Sequence, residues 1–188
     1  MDIRRQRALC IAQTGAFSAF LAAGSWISIP FIPVPITLQT LFLFIAGGVM
    51  GRYAVAPVAL YLVMGALNFP VFHGGSAGIG VFLGPTGGYL LGFLPAALLS
   101  GIGFEHSSRV IRCGGMAAGL LSLYACGVAW LSFSSGLSFP MALLLGVVPF
   151  IPGDILKSAL AYAVTDRIKG MKGWSRNGEP GKGPGGEG

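Results

Sequence analysis

Six long apolar runs, separated by glycine, proline or short charged stretches, organise this chain: roughly residues 8–29, 37–50, 53–67, 86–103, 114–131 and 140–165. Such runs exceed what a soluble core needs and point to membrane-spanning helices. The expected fold is an all-α membrane protein with six transmembrane helices over residues 1–168. The second and third runs are about 14 and 15 residues long, against roughly 20 for an upright crossing, so they predict short helices in a thin or protein-lined region. The tail over 169–188 is rich in glycine, proline and charge, which predicts a disordered segment. Composition agrees: 54% of the 188 residues are hydrophobic and only 10% charged, with a mean hydropathy of +0.76.

Charge placement adds a topology. Arg4, Arg5 and Arg7 precede the first run, and Arg52 separates the second from the third. Arg109 and Arg112 separate the fourth from the fifth; Arg167, Lys169, Lys172, Arg176 and Lys182 follow the sixth. The alternate loops at 30–36, 68–85 and 132–139 contain no Lys or Arg. Eleven of the twelve basic residues therefore fall on one side, and an even number of crossings predicts that both termini are cytoplasmic. The pI of about 9.6 thus reflects topology and not nucleic-acid binding. The first run, interrupted by Gln13, Thr14 and Ser18 and continuing through Trp26, reads as a retained span and not as a cleaved signal peptide. Cys10, Cys113 and Cys126 have no metal or redox spacing.

The twelfth basic residue carries the chemistry. Asp154 and Lys157 stand inside the last apolar run, where a central charge costs roughly 2.5–3.5 kcal/mol and normally faces a polar cavity, a partner or a ligand. Their i, i+3 spacing puts both on one helix face, able to serve one site. The first uncharged loop holds Pro30, Pro33 and Pro35, which predict a stiff extended segment. Thr37 and Thr40 suit helix starts, and Gln39 brings an amide into apolar surroundings. The second uncharged loop, from Asn68 to Tyr89, is long and glycine-dense, with His73 as its titratable group beside Gly74 and Gly75. Its apolar content argues for a lid or binding loop and against disorder. Small residues recur at four-residue spacing in the first run (Ala8, Ala12, Ala16; Gly15, Ala19, Ala23) and at Gly47/Gly51, Gly84/Gly88/Gly92 and Gly115/Gly119, patterns that permit close helix packing. Nothing resembles a nucleophile elbow, a metal-ligand pair or a Walker loop, so hydrolytic enzymes are excluded and the chain is not expected to hydrolyse ATP itself.

Three stretches coincide in order: Pro33-Val34-Pro35-Ile36-Thr37-Leu38-Gln39-Thr40, Gly84-Pro85-Thr86-Gly87-Gly88-Tyr89 and Pro149-Phe150-Ile151-Pro152-Gly153-Asp154-Ile155-Leu156-Lys157. Together, from about residue 8 to 167, they make the chain resemble the BioY family, the biotin-specific substrate-binding (S) components of energy-coupling-factor (ECF) transporters. The resemblance implies six membrane helices in the cell membrane, with loops after helices 1 and 3 capping an outward-facing site. It implies biotin as transported ligand, no cofactor, and a transmembrane coupling protein and ATPase subunits as partners. Asp154 and Lys157 match the family's biotin-binding pair; a ureido ring suits the carboxylate and a valerate suits the ammonium. Phe31, Tyr89 and Trp130 are candidates for the apolar wall, and Thr37, Gln39 and Thr86 lie in the matching motifs. Family members can carry a loop Asn that contacts the ligand ring; here the aligned stretch is His73-Gly74-Gly75, so His73 or backbone groups take that place. Ala12, Gly15, Ala16 and Ala19 resemble the surface such subunits present to the coupling protein. Two other readings remain open on the residues alone: a self-sufficient carrier for a small carboxylate, and a structural membrane protein with an internal Asp–Lys pair.

Overall fold

The computed structural model describes residues 3–171. Eight helices and one small hairpin follow in the order α1 (Ile3–Trp26), β1 (Ser28–Ile29), β2 (Ile36–Thr37), α2 (Gln39–Met50), α3 (Val55–Ala66), α4 (Gly80–Leu83), α5 (Gly87–Phe104), α6 (Arg109–Ser135), α7 (Phe139–Gly146) and α8 (Ile151–Met171). Single 3₁₀ turns at Gly51–Ala54 and His73–Gly75 complete them. By length and composition, Ile3–Trp26, Gln39–Ala66, Gly87–Phe104 and Arg109–Ser135 are fit to cross a bilayer, and the bent pair Phe139–Gly146 with Ile151–Lys169 makes a fifth candidate. The predicted tail beyond Met171 lies outside the described residues; α8 itself runs past the expected boundary at 168.

The stretch Gln39–Ala66 is not one rod. Gly51 adopts φ 60°, ψ −141°, a conformation that a side chain disfavours. The Gln39 amide then donates to the Tyr61 hydroxyl at 2.7 Å, whereas 22 residues of straight helix would hold them about 33 Å apart. The chain therefore reverses at Gly51, and α2 and α3 are two short legs.

The sixth apolar run corrects its expectation of one continuous helix. It breaks over Val147–Phe150, and its halves meet at 49°. Pro149 has no N–H, and its ring would clash with the carbonyl one turn back if the helix continued. Pro152 sits in the first turn of α8, where a missing N–H costs nothing. The proline-rich loop also differs: it is an antiparallel hairpin, Ser28 opposite Thr37 and Ile29 opposite Ile36, and not a single extended segment. The glycine-dense loop carries the His73–Gly75 turn and α4 where no regular structure was expected. Its Val71 and Phe72 are buried, and Ser25 and Trp26 at the end of α1 donate to the Val71 and Pro70 carbonyls.

Close backbone approach holds the centre together. A Cβ on Gly115 would lie 2.7 Å from Gly103 Cα, and one on Gly119 would lie 2.8 Å from the Ala96 carbonyl, so α5 and α6 meet through small residues. Gly47 likewise faces Ser100 and Gly101, and Gly92 faces Leu123 and Cys126. Around this pair, α2 packs on α5 and α8, and α1 packs on α2 and α3. The ladder of α1 behaves otherwise: Ala12, Gly15, Ala16 and Ala19 are all exposed, and a Cβ on Gly15 would meet nothing within 4 Å. It does not pack within the chain. Ion pairs Arg52–Glu105 (2.7 Å) and Arg112–Asp166 (3.4 Å) join helix ends at one end of the bundle, and Lys169 donates to the Phe104 carbonyl there. The hairpin and the glycine-dense loop cover the other end.

Candidate ligand cavity

The break before α8 places Asp154 in that helix's first turn, where the N-terminal end of the macrodipole favours a negative charge. Asp154 is 2% exposed and Lys157 8%, so both ions are almost wholly removed from water. Such burial is tolerated only with close partners, and each has them. Asp154 Oδ1 pairs with Lys157 Nζ at 2.5 Å and accepts from the Thr40 hydroxyl at 2.9 Å. Its Oδ2 accepts from the Tyr124 hydroxyl at 2.7 Å. Lys157 Nζ also donates to the Thr37 carbonyl at 2.9 Å. Helices α2, α6 and α8 and the last strand of the hairpin thus converge on one pair.

A second polar group stands beside it. The Thr37 hydroxyl donates to Gln39 Oε1 at 3.1 Å, and the Gln39 amide donates to Tyr61. Of the two threonines expected as helix starts, Thr37 does serve one, its hydroxyl oxygen accepting from the N–H of Gln39 at the first residue of α2 (3.3 Å). Thr40 lies inside α2 and spends its hydroxyl on Asp154; Leu38, directly before α2, offers no side-chain cap.

These groups form the polar pole of a cavity whose empty space, open mouth and adjoining solvent included, is about 630 Å³. The rest of the lining is largely apolar, with Val34 and Pro35 from the hairpin, Phe72 and Val81 from the glycine-dense loop, and Phe93, Leu123 and Phe150 from the helices. A carboxylate has about four acceptor positions and an ammonium three donors. Three donors already reach Asp154 and two acceptors reach Lys157, which leaves one position on each for a ligand.

Of the residues expected from sequence, Asp154, Lys157, Gln39, Thr37, His73, Thr86 and Tyr89 line this cavity. Tyr89 lies near-parallel to Phe150 at 6.5 Å and donates to the Gly146 carbonyl at 2.8 Å, pinning α5 to α7. Three expectations are corrected. Phe31 is outside the lining and exposed, edge-on to Phe150 at 6.4 Å. Trp130 is not on the wall; its indole donates to the Gly84 carbonyl and holds the loop before α5. Gly74 and Gly75 also fall outside the lining, forming the turn that presents His73 with φ of 64° and 76°. Sequence reasoning missed Tyr61 and Tyr124. The logic that singled out Gln39, a polar group inside an apolar helix, applies equally to a tyrosine hydroxyl. Among the described residues, no cluster of three or more His, Cys, Asp or Glu is placed to hold a metal ion.

Fold and cavity together define a helical membrane protein with a partly open cavity near one end of its bundle. The BioY family matches residues 2–173, and the chain belongs to that family. It is 38% identical to a probable biotin transporter BioY of Pyrococcus horikoshii, over 85% of this chain and 96% of the relative. It is also 38% identical to the biotin transporter BioY of Thermotoga maritima, over 86% and 96%. Its fold superposes on the crystal structure of the S-component for biotin from an ECF-type ABC transporter with a TM-score of 0.80 and 29% identity, covering 90% of this chain and 95% of that one.

The paired ions make a test of the geometry independent of any ligand. Asp154→Leu strands the Lys157 ammonium and is expected to destabilise the protein by about 3–5 kcal/mol. Asp154→Leu combined with Lys157→Met removes both charges and is expected to recover most of that loss. Thermal unfolding in detergent reads both; a double variant no more stable than the single one would contradict the pairing.

Proposed function

We propose that this chain is the biotin-binding membrane subunit of a vitamin-uptake transporter, capturing biotin at the outer face for import by an ATP-driven coupling module. One observation carries the reading. An otherwise apolar cavity presents one free acceptor position on Asp154 and one free donor on Lys157, one helical turn apart. Biotin brings N–H donors on a ureido ring, an anionic valerate, and an apolar bicycle between them. The ureido N–H is assigned to Asp154 and the valerate to Lys157. Because these two groups are in direct contact, the flexible valerate chain folds back toward the same pole, with Tyr89, Phe72, Phe93 and Phe150 as the wall. The biotin transporters among the relatives and the biotin S-component among solved structures support the same ligand.

Equilibrium binding to detergent-purified protein tests this, with desthiobiotin expected to compete and lipoate expected to fail. Lys157→Ala is expected to weaken biotin by roughly 1.5–3 kcal/mol. Biotin amide, whose side chain is uncharged, is expected to bind the wild type poorly and to lose much less on that substitution. Equal losses for acid and amide would refute the assignment of the valerate to Lys157.

The topology that suits this role has six crossings in the cell membrane, α2 and α3 as separate short spans, and both termini cytoplasmic. The reversal at Gly51 and the gathering of Arg52 and Arg112 at the end opposite the cavity support it. A cysteine introduced at Ser135 is expected to react with an impermeant thiol reagent in intact cells; labelling only after lysis would overturn the arrangement.

Energy comes from partners in this reading, a transmembrane coupling protein and its ATPase subunits. The exposed small residues of α1, Ala12, Gly15, Ala16 and Ala19, form the docking surface. Gly15→Leu is expected to abolish uptake in cells while purified protein still binds biotin. Parallel loss of binding and uptake would show that the ladder serves the fold instead.

A further inference from the structure

We propose that Tyr124 and Thr40 are positioning residues that make the cavity selective for an N–H donor, by holding Asp154 in one orientation with one acceptor position facing the ligand. The inference rests on the assignment of the ureido ring to Asp154. A carboxylate that is free to rotate about its Cβ–Cγ bond offers either oxygen, and it accommodates different ligands by turning. Here each oxygen has its own hydroxyl donor: Tyr124 reaches Oδ2 at 2.7 Å from α6, and Thr40 reaches Oδ1 at 2.9 Å from α2. Lys157 holds Oδ1 from the same helix as Asp154. Three directions of restraint leave no rotation that keeps all partners.

The other polar side chains around the cavity have different duties. The Tyr89 hydroxyl is spent on the Gly146 carbonyl, and the Tyr61 hydroxyl accepts from Gln39. His73 stands exposed on its turn, and Lys157 is shared between Asp154 and the Thr37 carbonyl. Thr40, Asp154 and Tyr124 are all nine-tenths buried or more, so water does not readily replace a lost hydroxyl. A ligand with an oxygen where biotin has an N–H would bring lone pair against lone pair. A buried site built to receive a donor rejects the analogue that lacks it far more strongly than an apolar pocket rejects a missing methylene.

The probes are biotin and its two cyclic-carbamate isosteres, each with one ureido N–H replaced by oxygen, bound to the full chain in detergent. Wild-type protein is expected to disfavour at least one isostere by about 100-fold or more. Tyr124→Phe keeps the ring and removes the hydroxyl. It is expected to weaken biotin while scarcely changing that isostere, so that the preference falls to about 10-fold or less. Thr40→Val is expected to act in the same direction, and Thr40→Ser, which keeps the donor, to retain the wild-type preference. This serine–valine comparison stands even where Tyr124→Phe fails to fold. If Tyr124→Phe and Thr40→Val weaken biotin and isostere equally, the hydroxyls only support packing and the inference is overturned. If the wild type itself fails to distinguish biotin from either isostere, the assignment of the ureido ring to Asp154 falls first, and the inference with it.

Discussion

Burying a carboxylate and an ammonium in an apolar helical bundle costs several kcal/mol per ion, and their mutual attraction offsets this only when further hydrogen bonds complete each group. That requirement organises the structure. Asp154 draws a hydroxyl from α2 and another from α6, and Lys157 reaches a main-chain carbonyl at the end of the hairpin. Elements distant in sequence are therefore held in register around two side chains on α8. The same ion pair leaves the cavity near-neutral yet strongly directional, with an acceptor and a donor side by side at the pole of an apolar chamber.

Backbone breaks make this arrangement possible. A helix running unbroken through the last apolar segment would place Asp154 mid-helix, away from the positive end of any dipole. The turn over Val147–Phe150, with prolines at 149 and 152, lets α8 begin three residues before Asp154. The reversal at Gly51 similarly brings Tyr61 back beside Gln39. Lys157 then links the site to its cover, since the carbonyl it holds belongs to the strand that closes the hairpin. The polar pole of the cavity and its cover share one side chain.

Much of this was legible in the sequence, for physical reasons. Charge inside an apolar run is expensive, so Asp154 and Lys157 declared themselves, and Gln39 did so by the same rule. The alternation of basic residues along the chain is the basis of the proposed assignment of its loops to two sides. Other features depend on tertiary partners that spacing does not encode. Trp130 looked like a wall residue, but whether an indole faces a cavity or a loop carbonyl is decided by the rotation of α6 against α5. Tyr124 and Thr40 are 84 residues apart and become neighbours only through Asp154. The prolines of the first loop restrict the backbone in a strand as well as in an open extended segment, so their number did not distinguish a hairpin.

The central claim is that Asp154 and Lys157 receive the two polar ends of biotin within one cavity. A crystal structure of the biotin complex tests it most directly. The account predicts a ureido N–H within hydrogen-bonding distance of the Asp154 carboxylate, the valerate at Lys157, and the bicycle against Tyr89 and Phe150. Biotin bound away from α8, with the Asp154–Lys157 pair untouched by ligand, would contradict it.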